Sequence, residues 1–305
     1  MADYDVIIIG SGLGGLTAGL FAARHGLSTL VLEANIPGGH LISIEKIEDF
    51  PGFPDGVAGY DLCPNVQRQA ADHGAEFQRA EVQKLEAQDR FWLVFTDEEK
   101  HRTKTVIVAT GSTLKELGIP GETKLIGRGV SHCASCDGPL YKDKVVGVVG
   151  GGDSALQESL TLADYVERVL LFHRSDLSAQ HVFQQRVLSH AKIALRRETI
   201  EEILGDDGVT GVRARNLVTG EVSQVDLSGI FIYVGLRPNT ALLQNIIDLT
   251  DTGHVPTDVW MRTDRAGLYA VGDIRQDSPA QAITSAGDGA AAAIAAHRYI
   301  KETFA

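Results

Sequence analysis

The sequence predicts an α/β fold made of two Rossmann-like, three-layer nucleotide-binding domains, the second inserted into the first. Three observations predict it. Two segments whose first glycines stand 140 residues apart each run from a short apolar strand through a glycine loop into a helix. Glycine makes up 33 of the 305 residues, with no Gly-x-y period and only 9 prolines. That is well above the usual ~7%, so the excess belongs to tight turns and close backbone approaches, not to a fibrous or disordered chain. The length leaves room for about two domains, each with a core of its own.

Residues 5–9 form a continuous apolar run, as a strand buried on both faces requires. Gly10-Ser11-Gly12-Leu13-Gly14-Gly15 follows, then an alanine-rich helix over 16–25 closed by Gly26. A second strand over 29–32 ends at Glu33, 23 residues after Gly10. Residues 91–95 and 104–109 read as strands of an antiparallel insertion separated by charged turns, and Ala109-Thr110-Gly111 closes that section. Residues 114–121 form a crossing segment. The second unit opens with a strand over 145–149, the loop Gly150-Gly151-Gly152-Asp153-Ser154-Ala155 and a helix to about Tyr165. Its next strand, 169–172, ends at His173-Arg174. A strand and turn surround Gly235, the stretch 267–273 follows, and a glycine- and alanine-rich helix runs from Ala282 to about Tyr299. The expected domains are 1–114 with 245–305, and 115–244.

The net charge of −12 argues against non-specific nucleic-acid or anionic-membrane binding, which relies on cationic patches. The uncharged run 6–23 holds five glycines and is preceded by Asp3 and Asp5, the wrong flank for a spanning or signal segment. It reads as a buried strand turning into a helix. Three cysteines are too few for a secreted disulfide scaffold. A cytoplasmic protein without nucleic-acid or membrane partners is expected.

The first loop has the logic of a dinucleotide site. Gly10 permits the tight turn, Gly12 lets a pyrophosphate approach the backbone, and Gly15 lets helix and strand pack closely. Glu33 is placed to accept the hydroxyls of an adenosine ribose. The alternative, a glycine-rich turn without a ligand, leaves the strand, helix, second strand and terminal acid unexplained. The second loop is a Gly-x-Gly-x-x-Ala variant through Gly150, Gly152 and Ala155. No acid ends its second strand. His173 and Arg174 stand there instead, suited to a 2′-phosphate or simply to solvent. Cys133-Ala134-Ser135-Cys136 spaces two thiols to close a small disulfide ring and to attack other disulfides. Half of a zinc site and a pair of structural thiols are the alternatives; the remaining cysteine, Cys63, reads as a buried small hydrophobe. Asp137, directly after the pair, is placed to relay a proton. Two dinucleotide folds and one dithiol suggest a relay from a nicotinamide through a flavin to a disulfide.

Over nearly its whole length the chain resembles the low-molecular-weight thioredoxin reductase family of FAD-dependent pyridine nucleotide-disulfide oxidoreductases. The matching stretches are the first glycine loop, Pro37-Gly38-Gly39, 48–54, Ala109-Thr110-Gly111, His132-Cys133-Ala134-Ser135-Cys136-Asp137-Gly138, 150–155, 234–240, Gly272-Asp273 and 281–284. The resemblance implies a homodimer with one FAD per subunit. It implies that Gly10, Ser11, Gly12, Leu13, Gly14, Gly15 and Glu33 hold the FAD adenosine diphosphate. Gly39, His40, Asp49, Ala109, Thr110, Gly111, Gly272, Asp273, Gln281 and Ala282 would complete that site. NADPH would meet Gly150, Gly152, Asp153, Ser154, Ala155, His173 and Arg174. Cys136 would face the flavin, Cys133 would attack the disulfide of thioredoxin or a similar protein, and the second domain would rotate so that nicotinamide and dithiol take turns.

The departures bear on the electron donor. The family's phosphate clamp reads His-Arg-Arg-x-x-x-Arg, whereas this chain has His173-Arg174-Ser175-Asp176-Leu177-Ser178-Ala179. Two planar guanidinium forks are missing, which weakens 2′-phosphate binding, and no acid replaces them to favour NADH. His40, Asp49 and Ala280 stand where the family has glutamine, asparagine and arginine; less positive charge near the flavin lowers its potential unless His40 compensates. Three readings follow: an NADPH-dependent disulfide reductase; a relative that draws on another carrier, such as a ferredoxin-like protein, or works as a dithiol oxidase; and a flavin-binding redox sensor without turnover.

Overall fold

The structure is a computed structural model and describes residues 3–304. The described chain divides into two compact units, residues 3–113 with 238–304, and residues 114–237.

In the first unit, β1 (Asp3–Ile9) leads into α1 (Leu13–Arg24), followed by β2 (Thr29–Glu33), α2 (Gly59–Asp72) and β3 (Ala75–Arg79). Strands β1, β2 and β3 are parallel neighbours, with Ile9 opposite Leu32 in the β1–β2 register. The continuous apolar run of β1 is explained by two cores. Ile7 and Ile9 join one with Leu30, Leu32 and Val94, while Val6 and Ile8 join another on the opposite face with Ala18 and Ala22. The meander β4 (Val82–Gln88), β5 (Phe91–Thr96) and β6 (Lys100–Val108) adds the antiparallel insertion.

Strand β6 begins four residues before the expected 104. Its first half alternates exposed and buried side chains and pairs with β5. Its apolar second half pairs in parallel with β1, Ile9 opposite Val108. The chain then leaves through β7 (Ser112–Leu114).

The second unit contains β8 (Val130–Ser131), a short α3 (Ala134–Asp137), β9 (Val145–Val149), α4 (Asp153–Tyr165), β10 (Arg168–Phe172), α5 (His181–Ser189) and β11 (Ile193–Arg196). A three-stranded antiparallel sheet follows, β12 (Glu198–Gly205), β13 (Val209–Asn216) and β14 (Val222–Asp226), then β15 (Gly229–Ile232). The main sheet is parallel, in the order β11-β10-β9-β15-β8. Residues 181–226 carry no strong pattern in the sequence, because α5 buries only Phe183 and Val187 and β14 lies almost wholly in solvent.

Strand β16 (Leu236–Pro238) pairs with β7. The chain rejoins the first unit at 238, seven residues before the expected 245. Asn239 N–H donates to Gly111 O, and Leu243 is fully buried beside the β1 core, which draws this stretch into that unit. Strand β17 (Leu268–Ala270) then adds to the apolar half of β6, and α6 (Ala282–Phe304) packs its small residues Ala292, Ala293 and Ala296 against the α1 face of the sheet. Among the described residues no helix is long and apolar enough to cross a membrane.

Cys63, on α2, is 1% exposed, and burial pushes its thiol up to about 11. At pH 8 only about one molecule in a thousand then carries the thiolate. Titration of the reduced native protein with a thiol reagent at pH 8 is expected to count two fast thiols, the third reacting only on unfolding. A raised thiol disfavours ionisation in the fold. The stabilisation from this site is therefore complete below about pH 9 and declines as pH rises toward 11.

Candidate functional site

The first loop is set by backbone contacts. Gly10 has φ 98°, and a Cβ there would lie 2.3 Å from Ala109 O. A Cβ at Gly15 would lie 2.0 Å from Gly10 O, so strand β1 and helix α1 touch main chain to main chain. Gly12 is different. Its φ is −61°, open to any residue, and a Cβ there would meet nothing within 4 Å. No protein contact requires glycine at 12, which leaves the backbone there open to a ligand. Helix α1 starts with no side-chain cap and no acid in its first turn, so its leading N–H groups are open to an anion.

The other expected residues of this unit gather around the loop. Gly38 N–H donates to Ser11 O, and the Cβ position of Gly39 lies 3.5 Å from Gly12 Cα. Glu33 Oε2 accepts the Ser11 N–H and Oγ, both at 2.7 Å, while Oε1 accepts the Asn35 N–H at 2.9 Å and has capacity for a further donor. The acid therefore pins the loop to the end of β2. Leu13 buries its side chain against Ile47 and Leu62, leaving its backbone to the site. Thr110 Oγ1 donates to Asn239 O and accepts back through its carbonyl from Asn239 Nδ2, which fixes Gly111.

Ser112 carries no motif to mark it in the sequence. Its Oγ donates to Asp273 at 2.9 Å, and its carbonyl accepts from His40 Nε2 at 2.6 Å. One buried serine thus ties the Gly272-Asp273 turn to the residue in the glutamine's place. Arg275 and Asp288 are equally unmarked. Arg275 Nε and Nη2 donate to the two Asp288 oxygens at 2.7 and 3.2 Å, and Asp288 also accepts Gly272 N–H. This nearly buried pair holds the turn against α6. Gln281 precedes α6 and Ala282 opens it, and Asp49 lies exposed on the loop after Ile47.

In the second unit a disulfide joins Cys133 and Cys136, with Cα atoms 5.3 Å apart. Cys133 is half-buried and Cys136 exposed. Cys133 Sγ accepts the Cys136 N–H at 3.2 Å and lies 3.5 Å from Ser135 Oγ. Donors aimed at one sulfur favour its thiolate over its partner's. The Asp137 carboxylate accepts at 2.6 Å from the Oγ of Ser131, another residue outside every motif of the sequence. Glu158, on α4, accepts the Ala134 N–H at 3.2 Å and reaches the Tyr233 hydroxyl at 3.5 Å. Burial, reinforced by the charge of Glu158, pushes the Tyr233 phenol far above its ordinary range, so it stays a neutral donor. Burial likewise raises Tyr141, with the Asp137 charge adding to it. No cluster of three or more His, Cys, Asp or Glu suited to a metal ion occurs among the described residues.

The second glycine loop repeats the first, with Tyr233 O against the Gly150 Cβ position at 2.3 Å. Gly152, at φ −93° with nothing nearer its Cβ position than Ser178 Oγ at 3.8 Å, again leaves backbone open. Asp153 starts α4 and accepts from the Gln180 N–H at 2.7 Å and its amide at 3.2 Å. Ser154 is exposed and Ala155 buried. His173 Nδ1 donates to Ser175 O, and Arg174 is exposed.

Two doubly wound units, each with backbone left open at a glycine loop, and a closed dithiol in one of them define a nucleotide-dependent disulfide oxidoreductase. The chain belongs to the pyridine nucleotide-disulphide oxidoreductase family, whose model matches residues 4–289. It is 39% identical over 300 residues to a thioredoxin reductase of Treponema pallidum, covering 98% of this chain and 97% of that one. The fold matches the structure of Lactococcus lactis thioredoxin reductase with a TM-score of 0.95 at 38% identity, covering 98% and 99% of the two chains. It is also similar, at 26% identity and a TM-score of 0.55, covering 99% of each chain, to a ferredoxin-flavin thioredoxin reductase from Clostridium acetobutylicum. The chain is a flavoprotein oxidoreductase with a redox-active dithiol.

Asp288→Ala leaves Arg275 without its nearly buried partner and frees the Gly272-Asp273 turn. The variant is expected to lose about 3 kcal/mol of stability in denaturant unfolding. It is also expected to shed flavin on gel filtration, while Asp288→Asn retains more of both.

Proposed function

We propose that the chain is an NADPH-dependent reductase of thioredoxin or a similar small disulfide protein, working as a cytoplasmic homodimer with FAD in the first unit. The observation that carries this reading is the disulfide Cys133–Cys136 in a chain with two glycine loops whose backbones stay open at Gly12 and Gly152. Gly10 to Gly15, Glu33, Gly39, His40, Asp49, 109–111, Gly272, Asp273, Gln281 and Ala282 hold the FAD. When bound, it supplies two-electron transfer between a nicotinamide and a disulfide. Gly150, Gly152, Asp153, Ser154, Ala155, His173 and Arg174 receive NADPH. Support for the dimer comes from the apolar groove lined by Leu13, Leu20, Phe50, Phe53, Leu62 and Val66 on the first unit.

In the reduced protein the Cys133 thiolate attacks one sulfur of the partner's disulfide. A mixed disulfide forms and the partner's other sulfur leaves as a thiolate, to which Asp137 relays a proton. Cys136 then attacks the Cys133 sulfur, releasing the second partner thiol and restoring the Cys133–Cys136 bond. The donors on Cys133 Sγ support this order, although Cys136 is the more exposed of the two.

A second reading is favoured by the stripped clamp at Ser175 and Ala179: electrons drawn from another protein carrier, as the ferredoxin-flavin thioredoxin reductase of Clostridium acetobutylicum is named for doing.

Anaerobic mixing with NADPH is expected to bleach the flavin faster than NADH does. Bleaching by neither, with turnover from a reduced ferredoxin-like carrier, overturns the first reading in favour of the second. Bleaching without turnover of any disulfide would leave a redox sensor. Cys136→Ser is expected to keep its flavin, lose disulfide turnover by more than about 10³-fold, and trap the partner on Cys133. Trapping through Cys133→Ser instead reverses the order of the two sulfurs.

A further inference from the structure

Where the family pattern has its second and third clamp arginines, this chain has Ser175 and the buried Ala179. The neighbouring strand offers cations instead. Phe172 of β10 pairs with Arg196 of β11, and His173 N–H donates to Arg196 O at 3.0 Å. Arg196 and Arg197 therefore sit at the same carboxyl edge as His173 and Arg174, one strand over, where a doubly wound sheet receives its nucleotide.

Arg196 is already engaged. Its Nε and Nη2 donate to Glu198 Oε1 at 3.1 and 2.8 Å, and that carboxylate is buried. Arg197 is not held in this way. Its Nη2 lies 3.7 Å from Asp176 Oδ1, beyond hydrogen-bond distance, and both side chains are exposed. Such a contact contributes little.

Asp176 belongs to the loop that stands in the clamp's place, and that loop folds onto the second glycine loop. Ser178 and Ala179 N–H groups donate to Gly151 O at 2.8 and 3.2 Å, and the Asp176 carbonyl lies 3.9 Å from the Gly151 Cβ position. Arg197 thus stands beside the loop that folds onto the second glycine loop, on its β11 side.

We propose that Arg197, acting with Arg174, binds the 2′-phosphate of the phosphorylated dinucleotide in place of the missing clamp arginines. A phosphate presents three acceptor oxygens and more charge than Asp176, so it displaces that weak contact and takes the guanidinium fork bidentately. The inference rests on NADPH being the donor, and it moves the determinant of coenzyme choice from the β10 loop to the end of β11.

Calorimetry on the holoenzyme with 2′,5′-ADP and 5′-AMP, which differ only in the phosphate, tests it. Wild type is expected to bind 2′,5′-ADP more tightly. Arg197→Ala should remove about tenfold of that advantage, Arg197→Lys should restore part of it, and Asp176→Asn should increase it. Flavin content and melting temperature serve as folding controls. The kcat/KM ratio of NADPH to NADH should fall with the 2′,5′-ADP affinity. Equal binding of the two nucleotides by wild type, or an unchanged advantage in Arg197→Ala, overturns the proposal; so does competition by inorganic phosphate as effective as 2′,5′-ADP, which would mark a general anion site. If 2′,5′-ADP binds through Arg197 but NADPH fails to bleach the flavin, the phosphate site stands and the donor reading falls.

Discussion

Main chain pressed against main chain at the turn from β1 to α1 is the constraint on which the first unit depends. Gly10 leaves room for Ala109 O and Gly15 leaves room for Gly10 O. Side chains at either position would separate the strand from the helix by more than the packing allows. With the loop clamped between its neighbours, the backbone at Gly12 has one direction left, outward. Ser11 then hands the geometry on, through Glu33 to β2 and through its carbonyl to Gly38. The second unit solves the same problem with Gly150 against Tyr233 O, and Tyr233 in turn reaches Glu158 beside the dithiol.

Polar groups around the two chemistries are treated differently. In the first unit they are locked into short buried bonds, Ser112 to Asp273 and Arg275 to Asp288, that fix the Gly272-Asp273 turn. Around the dithiol the network is looser. Ser131 holds Asp137 tightly at 2.6 Å, but Glu158 reaches Tyr233 only at 3.5 Å, and Cys136 is exposed. A fixed cradle suits a group that stays bound, whereas a dithiol that must exchange with a partner's sulfurs needs access. At the end of β11 Arg196 is tied to Glu198 while Arg197 has only a distant acid.

Much of the site was legible in the sequence because its reasons are local. The turn, the open backbone and the helix start of each loop lie within six consecutive residues, and the acid at Glu33 falls where a strand of ordinary length ends. The dithiol is likewise a four-residue statement. Strand β1 was readable because burial on both faces demands an unbroken apolar run.

The amino-acid sequence by itself determined two nucleotide-type openings and one dithiol, and its resemblance to the family marked where the phosphate-clamp pattern departs. Tertiary structure alone decided what supports them. Arg275 and Asp288 are 13 residues apart with no periodic link between them, and Ser112 meets Asp273 across 161 positions. Ser175 and Ala179 announce what the clamp has lost, but only the pairing of β10 with β11 brings Arg197 to the same edge. The reason is physical: backbone conformation is set by neighbours in the chain, whereas a buried charge or a shared rim is set by whichever segments the parallel sheet lays side by side.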